Sequence, residues 1–163
     1  MSGYPGECLR GISSGNDCSD EGVLSSSLFN RFDKTDRIDG FHEMSITWND
    51  NDEAVRIISN QKKLGEIQFK VGLAVLQRSQ IDVARRNPYY AKILSYERRE
   101  SMGNPYHGNI LMKSTASKQD KRKVADFLAV GAKVIYRNEI WEKTPPSSAD
   151  IKAMFPSDVI DNE

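Results

Sequence analysis

Alternating apolar and polar positions mark the strands of this chain. Residues 43–48 (EMSITW) place Met44, Ile46 and Trp48 at every second position, with polar side chains between them. Residues 66–76 repeat this period of two over five apolar positions. Such alternation is typical of a strand with one buried face. Shorter segments of similar character predict three further strands, at residues 91–98, 109–114 and 133–137.

Apolar positions three or four residues apart predict helices between these strands. Residues 52–61 and 80–87 show this spacing over short stretches, and residues 118–130 show it over a longer one that Ser117 can cap. The element order is therefore β-α-β-α-β-β-α-β. This order predicts an α+β fold, with a mixed or antiparallel sheet of about five strands and two to three short helices.

Glycine, proline and serine divide the chain into three parts. Residues 1–40 contain few apolar side chains among many small and polar ones, which predicts a flexible acidic N-terminal segment. Residues 41–140 hold the periodic segments and are predicted to form one compact domain. Residues 141–163 contain consecutive prolines and an acidic end, and are predicted to be a mobile tail.

The formal net charge is zero, but the charges are unevenly distributed. Residues 61–138 carry 16 Lys or Arg and 6 Asp or Glu, and both flanking parts are acidic. A basic middle favours an anionic partner, either a nucleic acid or an acidic protein. The basic side chains predicted to contact it are Arg85, Arg86, Arg98, Arg99, Lys113, Lys121, Arg122 and Lys123. Tyr89 and Tyr106 lie among them and are predicted to stack on bases.

His107 is the candidate catalytic residue. It lies in a polar loop that contains Gly and Pro, and loops on a rigid sheet often carry function. An imidazole near Arg98 and Arg99 has the chemistry for acid–base work on a phosphodiester, with His42 as a second member. The competing interpretation is a structural one, in which the ring of His107 bonds a nearby carbonyl.

Several classes of function have no sequence signature here. The chain contains no phosphate-binding glycine motif, no nucleophile elbow and no zinc-binding spacing, so no metal and no cofactor are expected. Cys8 and Cys18 are expected to be free thiols. There is no apolar run long enough to span a membrane and no secretory leader pattern, so we expect a soluble cytoplasmic protein without a membrane partner.

These observations favour a binding or accessory protein over an enzyme. Its basic region would meet an anionic macromolecule, with no catalysis. The main alternative is a small hydrolase or transferase acting on nucleotides or RNA, with His107 as the acid–base group and Arg98 and Arg99 on phosphate. A homo-oligomeric scaffold without a ligand is the third interpretation, because an open sheet edge can pair with a second copy to form a homodimer.

Overall fold

An antiparallel sheet forms the centre of the protein. The computed structural model describes residues 3–34 and 37–156. Its strands are β1 (Glu7–Ile12), β2 (Phe41–Trp48), β3 (Lys62–Lys63), β4 (Glu66–Ile67), β5 (Gly72–Gln77), β6 (Leu94–Arg98), β7 (His107–Lys113) and β8 (Lys133–Tyr136). Six of them form one sheet in the order β6-β7-β2-β1-β5-β8, and β3 pairs only with β4. The predicted α+β class is confirmed, and every strand pair is antiparallel.

Five α-helices connect and cover the strands in the described part of the chain. They are α1 (Asp52–Ser59), α2 (Arg78–Ala84), α3 (Pro88–Ile93), α4 (Lys118–Gly131) and α5 (Ser148–Ala153). The predicted cap of α4 is present, since Ser117 Oγ accepts a hydrogen bond from the amide of Asp120 at 3.1 Å. None of these helices has the length and apolarity that crossing a lipid bilayer requires.

The N-terminal segment contains a central strand, which corrects the prediction that residues 1–40 are flexible. β1 lies between β2 and β5, and Cys8, Leu9 and Ile12 are fully buried. Leu28 and Phe29, in a 3-10 turn, are buried as well. This segment is polar on average, but its few apolar side chains are buried by the rest of the fold, and average composition does not reveal this. Both cysteines are free, and burial raises the pKa of the Cys8 thiol to about 12.

The predicted C-terminal tail also contributes to the core. Trp141 and Ile151, which belongs to α5, are buried against the face of the sheet that carries Leu9 and Val75. The prediction of mobility is therefore corrected for residues 141–156. The remainder of the predicted tail, residues 157–163, lies outside the described residues.

Two predicted strands have different bounds in the structure. The strand predicted at 66–76 is interrupted after β4, and β5 starts at Gly72. The strand predicted at 91–98 starts at Leu94, because Pro88 opens a short helix through Ile93. A period-two pattern reveals neither the break after β4 nor the short helix before β6.

The two faces of the sheet are covered to different extents. One face packs against α2, α3 and α4 and the 3-10 turn at Ser26–Phe29. The opposite face is covered by α1, α5 and Trp141 where β1 and β5 lie. Over β2 and β7 that second face instead presents polar side chains, because Ser45 pairs with Asn109 and Thr47 pairs with His107. The candidate site lies at the boundary between the covered and the polar halves.

Candidate functional site

A cleft of about 1120 Å³ opens where β1 and β2 separate, and residues from both sides of the sheet line it. Its floor comes from β1, β2 and the start of β7. Its walls come from α1, from the β3–β4 hairpin and from the turn at residues 101–104. Among the described residues, four cationic side chains line it against the single carboxylate of Asp33, and we call it the cationic cleft. Its four cations are Arg10, Arg31, Arg56 and Lys63.

The cleft forms because β1 and β2 separate. Their ladder contains two pairs, Cys8 with Trp48 and Leu9 with Thr47, and then ends. The side chain of Arg10 fills the gap. Its Nε donates to the carbonyl of Leu28 at 2.7 Å, and its Nη1 donates to the carbonyl of Ser45 at 2.8 Å. The two carbonyls therefore fix the guanidinium between the strands.

Arg10 is a half-buried cation without a carboxylate partner. Within residues 3–34 and 37–156 it forms no ion pair, and its Nη2 has no hydrogen-bond acceptor. Burial and the neighbouring Arg31 lower its pKa to about 10, against the opposing effect of the Asp33 and Asp17 carboxylates, so it is still protonated at neutral pH. A fixed guanidinium with an open donor is suited to binding phosphate or carboxylate oxygens.

The other cations surround Arg10 at the walls of the cleft. Arg31 is held by the buried carboxylate of Asp17, whose pKa is lowered by this hydrogen bond, and half of the Arg31 side chain remains exposed. Arg56 on α1 and Lys63 on β3 are exposed and form no ion pair with any described residue. The cleft therefore has an excess of positive charge that the described side chains do not neutralise.

An aromatic ring packs over the floor of the cleft. Phe69, in the connection between β4 and β5, lies directly on the backbone of Gly11 in β1, so closely that a Cβ at Gly11 would overlap the ring. Phe69 is only partly buried and lines the cleft. Glycine is required here because the ring occupies the position of a side chain.

His107 lies in the cationic cleft beside Thr47. Its Nδ1 lies 2.8 Å from the carbonyl of Arg99, so in the neutral ring Nδ1 carries the proton and Nε2 remains a base. The carbonyl contact of the structural interpretation is present, and the catalytic interpretation remains a prediction. His42 pairs with Met112 on the opposite face, so the two histidines do not form a pair.

The predicted arginines contact groups of the protein itself. Arg98 forms an ion pair with Asp50 at 2.6 Å. Arg99 lies within 4.0 Å of the carboxylates of Glu43 and Glu97. Arg85 donates from Nε to the carbonyl of Leu94 at 2.7 Å, and Arg86 is exposed just beyond α2. None of these arginines lines the cleft.

The remaining predicted residues are distributed over other surfaces. Tyr89 donates to Asp120, and Tyr106 donates to Glu53. Lys113 lies 5.0 Å from the centre of the Phe41 ring. Lys121, Arg122 and Lys123 lie on α4, which packs on the first face. Of the residues predicted as a site, the structure brings only His107 to the cationic cleft.

The sequence interpretation missed the four cations of the cleft. Arg10 and Arg31 lie in the segment predicted to be flexible, Arg56 lies in a short helix, and Lys63 lies in the two-residue strand β3. One signal was available, because Arg10 interrupts an otherwise apolar run, CLRGI. A charged residue inside a strand pattern indicates a special environment, provided that the segment is first identified as a strand.

No family model, curated protein or solved structure matches this chain. The chemistry of the cleft is therefore the basis for a functional assignment.

Proposed function

We propose that this protein is a non-catalytic binding protein for a phosphate-bearing polyanion of the nucleic-acid class, and that the ligand lies in the cationic cleft. The observation that supports this most directly is Arg10, a half-buried guanidinium that two carbonyls orient and that forms no ion pair with a described carboxylate. A half-buried cation that is not directly paired with a carboxylate loses part of its hydration without full compensation. A bound phosphate would supply the counter-charge.

The shape of the cleft favours a nucleic acid over an acidic protein. Arg10 is recessed between two strands, whereas Arg56 and Lys63 lie exposed at the walls. A thin phosphodiester backbone can bring one phosphate to the floor and the next phosphates to the walls. The carboxylates of a folded protein surface reach a recessed guanidinium less easily.

Two double variants with the same charge change test the location of the site. Arg56→Gln with Lys63→Gln removes two cations from the cleft, and Arg122→Gln with Lys123→Gln removes two from α4. Binding of a fluorescent single-stranded oligonucleotide would be measured by anisotropy at about 50 and 200 mM salt. The cleft variant should bind more weakly and lose about 1.4 from the salt-dependence slope, since each single-strand phosphate contact contributes about 0.7.

The α4 variant should behave like the unmodified protein. If it lost affinity instead, and the cleft variant did not, the binding surface would be the basic helix. If the unmodified protein bound neither the oligonucleotide nor inorganic polyphosphate at low salt, polyanion binding itself would be wrong.

A second candidate function is hydrolysis or transfer at a phosphodiester, and the position of His107 favours it. With Nδ1 held by the Arg99 carbonyl, Nε2 is the atom that can take a proton from water as the water oxygen attacks phosphorus. The P–O bond to the ester oxygen then breaks, and the imidazolium returns the proton to that leaving oxygen. His107→Gln should abolish cleavage of a labelled RNA without lowering the melting temperature. Equal cleavage by the variant and the unmodified protein would exclude this mechanism.

A further inference from the structure

Two tight turns at the walls of the cationic cleft each expose an apolar side chain completely. Leu64 lies at the tip of the β3–β4 hairpin, and its side chain is fully exposed. Met102 lies at the tip of the turn at residues 101–104 and is fully exposed as well. Lys63 and Met102 both line the cleft, so the two tips flank the same opening. In both turns the apolar residue is followed by a glycine at positive φ, Gly65 and Gly103.

Leu64 occupies a backbone conformation that does not suit leucine. Its φ is +54° and that of Gly65 is +82°, which is the two-residue hairpin turn in which Asn-Gly is preferred. A left-handed conformation is unfavourable for a bulky residue, and an exposed side chain has no packing to offset it. Backbone strain of this kind clusters at active sites and ligand clamps, which favours a contact of Leu64 with something outside the folded chain.

Met102 is presented by an equally well-defined turn. The amide of Ser101 donates to the carbonyl of Asn104 at 3.1 Å, and the amide of Asn104 donates back at 3.0 Å. The side chain of Asn104 is buried and donates to Thr47 Oγ1 at 3.0 Å. The turn is therefore anchored to the sheet, and Met102 is held away from it in solvent.

The wall between the tips offers groups that can read the edges of bases. Gln61 Nε2 donates to Gln68 Oε1 at 2.8 Å across the base of the hairpin. Gln61 Oε1 and Gln68 Nε2 have no hydrogen-bond partner among the described residues, so this wall offers one acceptor and one donor. Such groups can bond the polar edge of an unpaired base.

We propose that the ligand of the cationic cleft is single-stranded nucleic acid, and that its unpaired bases pack against Leu64 and Met102 while its phosphates meet the cations. This inference rests on the proposed function. Leucine and methionine are among the side chains that pack against and between bases. The cleft volume lies just above the usual range of small-ligand pockets, which leaves room for a short stretch of one strand.

A lipid bilayer is the other surface that exposed apolar tips could enter. The polar wall between the tips disfavours it here, because the amide side chains of Gln61 and Gln68 would have to leave water if both tips entered the apolar part of a bilayer.

The test compares three probes and two double variants of the full chain. The probes are an oligothymidine of about 12 nucleotides, an abasic phosphodiester of the same length, and phosphatidylcholine–phosphatidylserine vesicles. Leu64→Asn with Met102→Asn removes both tips, and asparagine relieves the left-handed strain at position 64, so folding should be retained. Val23→Asn with Val130→Asn is the matched control, since both valines are exposed at a distance from the cleft.

The tip variant should bind oligothymidine about tenfold more weakly, because contacts to bases are lost, and should bind the abasic strand unchanged. The control variant should match the unmodified protein with both probes. Unchanged oligothymidine affinity in the tip variant would overturn the inference but leave polyanion binding intact. Vesicle binding that is lost in the tip variant, with oligothymidine unaffected, would assign the tips to a lipid surface and would also overturn it. Failure of the unmodified protein to bind either strand would instead count against the proposed function.

Discussion

At the scale of single residues, Arg37 organises a network of three carboxylates beside the candidate site. It bonds Asp39, Glu43 and Glu97 at 2.6 to 2.8 Å, and only 13% of its side chain is exposed. Its hydrogen bond holds the pKa of Asp39 down at about 2. Burial opposes ionisation of Glu97, but hydrogen bonds from Arg37 and Asn109 still hold its pKa below the usual value. Glu97 in turn lies near Arg99, whose carbonyl orients His107.

Arg37→Met should lower the melting temperature at neutral pH by about 3 °C. The substitution should also change how the melting temperature depends on pH in acid. Carboxylates whose pKa is depressed by folding stabilise the protein above their unfolded pKa, and this contribution is lost as the pH falls through the folded pKa. The unmodified protein should therefore lose stability between about pH 4.5 and 2, and the variant should lose less over the same window. Thermal melts across this range would measure the difference, and parallel curves would contradict the role of Arg37.

At the scale of elements, the contact between β1 and the β4–β5 connection shapes the floor of the cleft. The Phe69 ring takes the position that a side chain at Gly11 would occupy. This contact explains why the apolar alternation predicted at 66–76 does not produce one long strand. Phe69 leaves the sheet and covers β1, and β5 begins three residues later at Gly72.

Gly11→Ala should displace Phe69, lower the melting temperature and weaken oligonucleotide binding, because a methyl group there overlaps the ring. Gly15→Ala is the matched control, since nothing lies within 4 Å of the position that its Cβ would take, and it should have little effect. Adding Phe69→Leu to Gly11→Ala should recover part of the lost stability by removing the overlapping ring. Equal stability of the two alanine variants would show that the contact is not tight.

At the scale of the whole molecule, β1 joins the two halves of the sheet. β2, β6 and β7 lie on one side of it, and β5 and β8 lie on the other. Without β1, the inner edges of β2 and β5 would lose their partners, and the buried Leu9 and Ile12 would leave two cavities. The compact unit therefore includes residues that the sequence interpretation placed in a flexible segment.

A chain that begins at residue 41 should accordingly fail to fold, although the sequence pattern places the domain at 41–140. The circular dichroism spectrum and the urea denaturation curve of the truncated chain would be compared with those of the full chain under the same conditions. Loss of a cooperative transition is the expected result. A truncated chain that unfolds cooperatively, with the same midpoint as the full chain, would show that β1 is dispensable.

The sequence by itself determined the α+β class, the amphipathic helix that Ser117 caps, and the strands with clear alternation such as residues 43–48. These features depend on local spacing, and local spacing is visible in a sequence. Only the tertiary structure decided that Glu7–Ile12 is a central strand, since Arg10 interrupts its short apolar run and its burial depends on partners far along the chain. Tertiary structure also decided which cations converge. Four cations from distant parts of the sequence line one cleft where β1 and β2 separate, namely Arg10, Arg31, Arg56 and Lys63. The basic residues predicted as a site instead pair with acids of the protein or lie on other surfaces.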